Sequence, residues 1–399
     1  MKYAHIVGWG AYLPKKVLTN DDIALMVETS DEWIYTRTGI RERRIAGEKE
    51  TTATLAFEGA ARALAVADIH PSQVDLIVVA TSTPEYIFPS TASRVQDYLG
   101  AHRAGAFDLS AACSGFVYGL DMAAQAIATG SIKIAIVIGA ETLSRVMDWE
   151  DRGTCILFGD GAGAVVLKGS SVPGGLLSST LRSDGSGGEL LTLPAVYHNP
   201  VPMLGPEYLQ NGHGDNTIKM NGREVFRFAT KVVSDSIEVV VQKAGLTLDD
   251  VDLIVPHQAN TRIIEAVAKR LKLPMDKFFL NIEQAGNTSA ASIPIALVDA
   301  IHAGRLHPDD NVVFVGFGGG LTWAAGVIKW DVTPPQVSLA DREWQRARYI
   351  WARLRSRIRK LSRRIGARLL GSPTPEASLR DVEKRGKGAR VQGGKGERD

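Results

Sequence analysis

The strongest constraint on the fold is an internal repeat: the pentapeptide VDLIV of residues 74–78 returns at residues 251–255, an offset of 177. Each copy follows a helical pattern ending near Ala67 or Ala244, and the apolar run itself reads as a strand buried on both faces. At offsets within a few residues of this one, AFDLSAACSGF around Cys113 answers FFLNIEQAGNTSAA around Asn287, and IKIAIVIGAET answers NVVFVGFGGG. Three ordered matches at one spacing identify a duplication. Each half alternates apolar strands with helical segments, the pattern of a mostly parallel sheet covered by helices.

A chain of 399 residues with 45% apolar composition can bury one large core or two medium ones. The pattern divides it into a first half over 1–180, a Gly-, Pro- and Asn-rich excursion over 181–219, a second half over 220–330, a basic extension over 331–370 and a tail over 371–399 that reads as disordered. His198 and His213 in the excursion have no ligand-spaced partners and read as solvated loop residues. The opening MKYAHIVGWGAYLP has no apolar segment followed by a small-residue cleavage site. No stretch reaches the roughly 18 apolar residues of a spanning helix, so a cytoplasmic location is expected. Only Cys113 and Cys155 are present, without a CxxC or Cys/His cluster, which argues against a structural metal and a disulfide framework. The formal charge of +2 hides an asymmetry: residues 1–330 hold 28 Lys/Arg against 36 Asp/Glu, and residues 331–399 hold 18 against 8.

Cys113 follows the strand-like residues 106–109 and precedes residues 114–129, where Phe116, Val117, Leu120, Ala124 and Ile127 fall at helical spacing before Gly130. A cysteine at a helix entrance meets unpaired N–H groups and the positive end of the dipole, which can move its pKa from about 8.5 toward 7 or lower. The small residues of AACSGF let a substrate reach the sulfur. A small apolar residue beneath the helix is the competing description of any cysteine, and Cys155 in TCILFGDGAGAVV fits it. His257 closes the second copy of the repeated strand, and strand ends face ligands in α/β sheets. Asn287 taken alone is a turn former after Gly286. The repeat aligns its segment with that of Cys113, so pseudo-twofold symmetry would bring the two loops together.

DLSAACSGF, VPHQAN and GNTSAAS, in this order and spacing, resemble the active-site segments of β-ketoacyl-ACP synthase III, a thiolase-superfamily condensing enzyme. DEWIYTRTGIRER from Asp31, DRGTCILFGDGAGA from Asp151 and FGGGLTW from Phe317 match as well, and the resemblance covers residues 1 to about 330. It implies an α/β, thiolase-like fold with the two duplicated halves in an αβαβα layered arrangement. The implied reaction is decarboxylative condensation of a short acyl-CoA with malonyl-ACP, giving a 3-oxoacyl-ACP, CoA and CO2 through an acyl-Cys113 intermediate and starting fatty-acid synthesis.

In that reading His257 and Asn287 donate to the enolate oxygen that decarboxylation creates, so neither metal nor cofactor is required. Backbone N–H groups of Cys113 and Gly319 form the oxyanion hole, glycine allowing close approach of the backbone. CoA enters a tunnel with its adenine between Trp33 and Arg152, along walls that include Arg37, Thr38, Gly153, Phe226, Ala259 and Asn260. Arg223 stands where the family often carries Asn. The acidic acyl carrier protein docks on Arg262, Lys269, Arg270 and Lys272, which taken by charge alone form a solvated helix face. Phe88 resembles the bulky residue that closes the partner's acyl pocket across a homodimer interface. No nucleic-acid partner is expected.

Beyond Trp330 the resemblance ends. Residues 341–370 carry 11 Lys/Arg against 2 Asp/Glu, with Ala347, Trp351, Leu354, Ile358, Leu361 and Ile365 spaced as on one helix face. Such a basic amphipathic helix can lie on an anionic membrane, pair as a coiled coil or dock on its own body, and its Trp and Arg content points to peripheral membrane contact. Other readings of the chain are a paralogue of secondary metabolism, a hydroxymethylglutaryl-CoA synthase and a non-catalytic carrier or membrane scaffold. The synthase needs a carboxylate where this chain has Ser82, with Glu85 nearby. The scaffold has no use for the Cys, His and Asn set.

Overall fold

The computed structural model describes residues 2–194 and 216–331 and, in the tail, residues 354–356, 358, 359, 361–363 and 365. The strands are β1 (Tyr3–Tyr12), β2 (Lys16–Thr19), β3 (Glu42–Ile45), β4 (Leu76–Ala80), β5 (Gly105–Leu109), β6 (Ile134–Thr142), β7 (Asp160–Ser170), β8 (Gly175–Ser183), β9 (Leu191–Thr192), β10 (Lys219–Met220), β11 (Leu253–Pro256), β12 (Asp310–Gly318) and β13 (Thr322–Trp330). One sheet has the order β1-β7-β6-β4-β5 and a second the order β11-β12-β13-β8. Read from the other edge, the second sheet repeats the first, β8-β13-β12-β11, and the equivalent of β5 is reduced to a parallel bridge between Ile254 and Phe278.

Both sheets are mixed, unlike the mostly parallel sheets expected. β4 runs parallel to β5 and β6, and β11 to β12, but β7 and β13 are antiparallel to their neighbours. Residues 319–321 leave β12 and β13 too little chain for a helical crossover, so that pair can only be antiparallel.

The period-2 alternation of the strands sorts their side chains into layers. In β6, Ala135 and Val137 face the centre of the molecule, while Ile134, Ile136, Ile138 and Ala140 face outward. In β12, Val312 and Phe314 face the centre and Val313, Val315 and Phe317 face outward. Helices Gly115–Ala128 and Ser292–His302 fill the space between the sheets. Thr52–Ala67 and Thr91–Leu99 cover the first sheet, and Gly222–Lys243 and Thr261–Leu271 cover the second, completing αβαβα layers. Phe116 and Phe314, both fully buried, meet edge to face at 6.3 Å in the central layer, and truncating either to alanine should cost about 3–5 kcal/mol.

The outer helices carry side-chain N-caps at Thr51, Ser90, Asn221 and Asn260, whereas the two central helices carry none. Each central helix is entered through a tight turn, Ala112–Ser114 in one half and Ser289–Ala291 in the other. Ala112 and Ser289, 177 positions apart, are both left-handed, with φ of 45° and 48°. The turns seat reciprocally. A Cβ on Gly316 of the second half would meet the carbonyl of Cys113 at 3.1 Å, and one on Gly139 of the first half would meet the carbonyl of Ala290 at 2.0 Å.

Of the excursion, residues 195–215 lie outside the described region, as do His198 and His213; across its base Lys219–Met220 pairs with Leu191–Thr192. The described tail residues are helical and touch the body at Asp97, which accepts from Arg359 Nη2 at 3.0 Å and from the Ser356 hydroxyl. Leu354, Ile358, Leu361 and Ile365 are exposed there. The rest of the helix expected over 341–370, and the disorder expected from 371, fall outside the described residues. Among the described residues no helix is long and apolar enough to cross a membrane.

Candidate active site

Cys113 sits in the turn Ala112–Ser114 and lines a cavity of about 480 Å³. Its neighbours in the wall include Ser289, Gly319, Leu143, Phe158 and Ile87. Gly318 presses against the turn from β12: a Cβ there would lie 2.6 Å from the Cys113 nitrogen. Gly319 and Cys113 share the cavity wall, with glycine at the position closest to the Leu191 carbonyl.

Cys113 is 6% exposed, and burial pushes its thiol up to about 12, opposite to the lowering expected at a helix entrance. The helix proper begins two residues later, at Gly115, and the cost of taking a thiolate out of water outweighs the nearby dipole. The Ser289 hydroxyl, in the same cavity wall, works in the other direction and lowers it as a donor to the thiolate.

His257 follows β11, and its backbone N–H donates to the Val315 carbonyl at 2.8 Å. Nδ1 meets Ser292 Oγ at 2.6 Å, and Phe317 packs edge-on against the ring at 5.2 Å. Burial drives its pKa down to about 3, so the imidazole is neutral. Asn287 is stitched into the first half: its N–H donates to the Leu157 carbonyl and its carbonyl accepts from the Gly159 N–H, both at 2.9 Å. Its side-chain oxygen accepts from the Ser289 N–H at 2.9 Å. His257 and Asn287 are 2% and 6% exposed, and neither lines the cavity that reaches Cys113.

The residues expected at the CoA tunnel fall into two kinds. Two guanidinium groups stand over the Trp33 ring, Arg37 at 4.4 Å and Arg152 at 4.8 Å from its centre, and Arg152 also donates to the Glu28 carbonyl. An adenine between Trp33 and Arg152 needs about 7 Å, two van der Waals contacts, so Arg152 would have to swing out. Asn260 caps Thr261–Leu271 and donates to the Arg37 carbonyl at 2.9 Å, tying the two elements together. Thr38, by contrast, is buried and bonded to Ile34 and Ile40 within its own turn. Gly153 bonds Asp151, and Phe226 and Ala259 lean partly buried on the core of the second half. Arg262, Lys269, Arg270 and Lys272 are exposed, with Arg270 paired to Asp235. Phe88 is 86% exposed and does not line the cavity, whereas Tyr86 and Ile87 do. Glu85 is engaged by Arg94 at 2.9 Å and by the Ala53 N–H.

Sequence reasoning passed over Glu141, Ser289 and Ser292. Glu141, at the end of β6, is fully buried and accepts from Thr81, Thr83 and Ser289 hydroxyls and the Ser82 N–H. Burial raises its carboxyl to about 7 despite these donors. The signal was one charged residue in the otherwise apolar run IAIVIGAET, because a buried carboxylate must find partners.

Residues 107–185 match the family described as 3-oxoacyl-[acyl-carrier-protein (ACP)] synthase III, and residues 241–330 match its C-terminal part. The chain is 52% identical over 328 residues to the β-ketoacyl-[acyl-carrier-protein] synthase III of Caldanaerobacter subterraneus subsp. tengcongensis, covering 82% of this chain and 98% of the relative. The solved 3-oxoacyl-[acyl-carrier-protein] synthase III of Aquifex aeolicus is 47% identical, with a TM-score of 0.76 over 82% of this chain and 99% of that one. The priming β-ketosynthase of the R1128 polyketide pathway is 35% identical, with a TM-score of 0.77 over 84% and 98%. Identity of this order across the whole body, Cys113 turn included, means that the chain belongs to the β-ketoacyl-[acyl-carrier-protein] synthase III family of condensing enzymes.

Proposed function

We propose that the chain condenses a short acyl-CoA with malonyl-ACP, losing CO2 and releasing CoA and a 3-oxoacyl-ACP, through an acyl group held on Cys113. The observation that carries this reading is the placement of Cys113 in the wall of an apolar-lined cavity, beside Ser289 of the loop that bears Asn287. Attack of the sulfur on the acyl-CoA carbonyl creates an oxyanion that the N–H groups of Cys113 and Gly319 receive. Decarboxylation of the malonyl thioester then builds charge on its carbonyl oxygen, where two uncharged nitrogen donors are needed.

Ser292 Oγ accepts from the Gln258 N–H and can give its own proton to His257 Nδ1, the arrangement in which the ring proton sits on Nε2. Asn287, with its oxygen held by Ser289, offers its NH2 group. Acyl-Cys113 is attacked by the resulting carbanion, and the thiolate of Cys113 leaves. The CoA pantetheine would pass Trp33 and Arg37, and the carrier protein would dock on Arg262, Lys269 and Lys272. Exposed β5, with Phe107 next to exposed Tyr86, Ile87 and Phe88, supports a homodimer that pairs this open edge and brings Phe88 to the partner's acyl pocket. We place the enzyme in the cytoplasm and read residues 1–180 and 220–330 as its two duplicated halves.

The similarity to a priming polyketide synthase supports secondary metabolism as the alternative setting. Intact-mass spectrometry after incubation with a panel of acyl-CoAs, followed by malonyl-ACP or malonyl-CoA, tests both. Cys113→Ala should carry no acyl adduct, and an adduct retained by that variant refutes the assignment.

A further inference from the structure

Glu141 is a buried carboxyl to which the condensation assigns no task, and it stands one hydroxyl away from the nucleophile. We propose that Glu141 receives the proton of the Cys113 thiol through the hydroxyl of Ser289. This deepens the condensing-enzyme reading and rests on it for the role of the thiolate. Ser289 Oγ donates to Glu141 Oε1 at 3.1 Å, Ser289 and Cys113 stand in the wall of the same cavity, and the Ser289 backbone N–H is held by Asn287 Oδ1 at 2.9 Å. The Ser289 backbone is left-handed, with φ of 48°. The Ser82 N–H is shared between Oε1 at 3.1 Å and Oε2 at 3.0 Å, but both threonine hydroxyls go to Oε2, Thr83 Oγ1 at 2.6 Å and Thr81 Oγ1 at 3.2 Å, while the Ser289 hydroxyl goes to Oε1. A proton is therefore accepted on Oε1, the oxygen that faces Ser289.

The step balances within the site. The thiol proton passes to Ser289 Oγ as the Ser289 hydroxyl proton passes to Glu141 Oε1, leaving a thiolate, an intact hydroxyl and a neutral carboxyl. One negative charge moves from Glu141 to Cys113 and no second buried charge is created, which removes the repulsion that an ionised Glu141 exerts on the Cys113 thiolate. After acyl transfer the departing CoA thiolate takes a proton from water. When condensation expels the Cys113 thiolate, Glu141 returns its proton along the same path and the site is reset. The groups packed on the carboxyl are neutral from both halves, Thr81, Ser82 and Thr83 after β4 and Ser289 before the second central helix. The charge acting on Cys113 is that of Glu141 itself, and the carboxyl stands near 7, where it can both accept and return a proton. Glu141 acts through Ser289 and is thus a positioning residue.

The test is the pH dependence of Cys113 alkylation by iodoacetamide, followed by peptide mass spectrometry so that Cys155 is scored separately. Ser289→Ala and Glu141→Gln should each slow alkylation at pH 7 by about ten-fold or more and move the reactive limb to higher pH, and the double variant should lose no more than either single. Ala112 already holds alanine in the same left-handed conformation, so Ser289→Ala keeps the turn. If Glu141→Gln fails to fold, Ser289→Ala alone decides. A limb in Ser289→Ala that coincides with wild type overturns the proposal. Acylation of wild type by acyl-CoA is read in parallel: its absence refutes the condensation, while the alkylation limb still judges the relay.

Discussion

Gly318→Ala should disable the nucleophile through the turn that carries it rather than at the sulfur. The added Cβ would lie 2.6 Å from the Cys113 nitrogen, 3.0 Å from the Ala112 Cβ and 3.1 Å from the Cys113 Cβ, and all three belong to the turn that starts at left-handed Ala112. Reaching ordinary contact from 2.6 Å requires a retreat of roughly 0.8 Å by backbone, an overpacking that costs about 1–3 kcal/mol. A displacement near 1 Å at a reacting group lowers its rate by about 10²-fold. Single-turnover acylation of Cys113 followed by intact mass should therefore slow by about two orders of magnitude, with a melting temperature lower by a few degrees. Gly59→Ala is the matched control: its Cβ meets nothing closer than 3.6 Å, and in a helix it should be neutral or stabilising by up to about 1 kcal/mol. If Gly318→Ala acylates at the wild-type rate, the turn is more compliant than its packing implies and the argument fails.

Three further outcomes are expected. Glu141 binds a proton between its ordinary 4.5 and about 7 in the folded chain but not in the unfolded one, so its contribution to stability falls as pH rises through that window. Urea denaturation of Glu141→Gln against wild type should then show the difference move in favour of the variant from pH 4.5 to 7, by on the order of 3 kcal/mol, and a flat difference refutes the burial. His257, held at about 3 against its ordinary 6.5, makes the folded state lose stability as pH falls through that range. Malonyl-thioester decarboxylation should accordingly show no imidazole limb between about pH 5 and 8, whereas a limb near 6.5 that disappears in His257→Asn refutes a neutral donor. Trp33→Ala removes the ring that Arg37 and Arg152 stand over and should raise KM for acyl-CoA about ten-fold, most of the loss falling on KM, as steady-state kinetics would report.

The layers were legible because they are written in periodicity. The repeated VDLIV segments became β4 and β11, and the helical spacing over 114–129 became the central helix Gly115–Ala128, with Ser292–His302 as its counterpart. Strand direction was not legible, since an apolar run carries no sign of parallel or antiparallel pairing and only connection length decides it. At the site, Cys113 stood out by its small neighbours at a helix entrance, and Asn287 because the repeat superposes its segment on that of Cys113. Ser289 and Ser292 were missed because a serine among small residues has no periodic signature, and its function lies in what it reaches across the seam. The direction of the Cys113 shift was misjudged for a related reason: sequence shows the adjacent helix, but desolvation depends on walls that both halves supply.

The reciprocal seating of the two turns makes neither half self-sufficient. Gly316 supplies the seat for the turn of Cys113, and Gly139 supplies the seat for the turn of Ala290, each from the opposite half. An isolated first half would therefore hold its cysteine in a left-handed turn with nothing to brace it, and conformations of that kind persist only where their surroundings impose them. Reactivity at Cys113 becomes a report on the docking of the whole body: a partly assembled chain has the thiol but not the geometry, and stays chemically silent until the two halves have closed on each other.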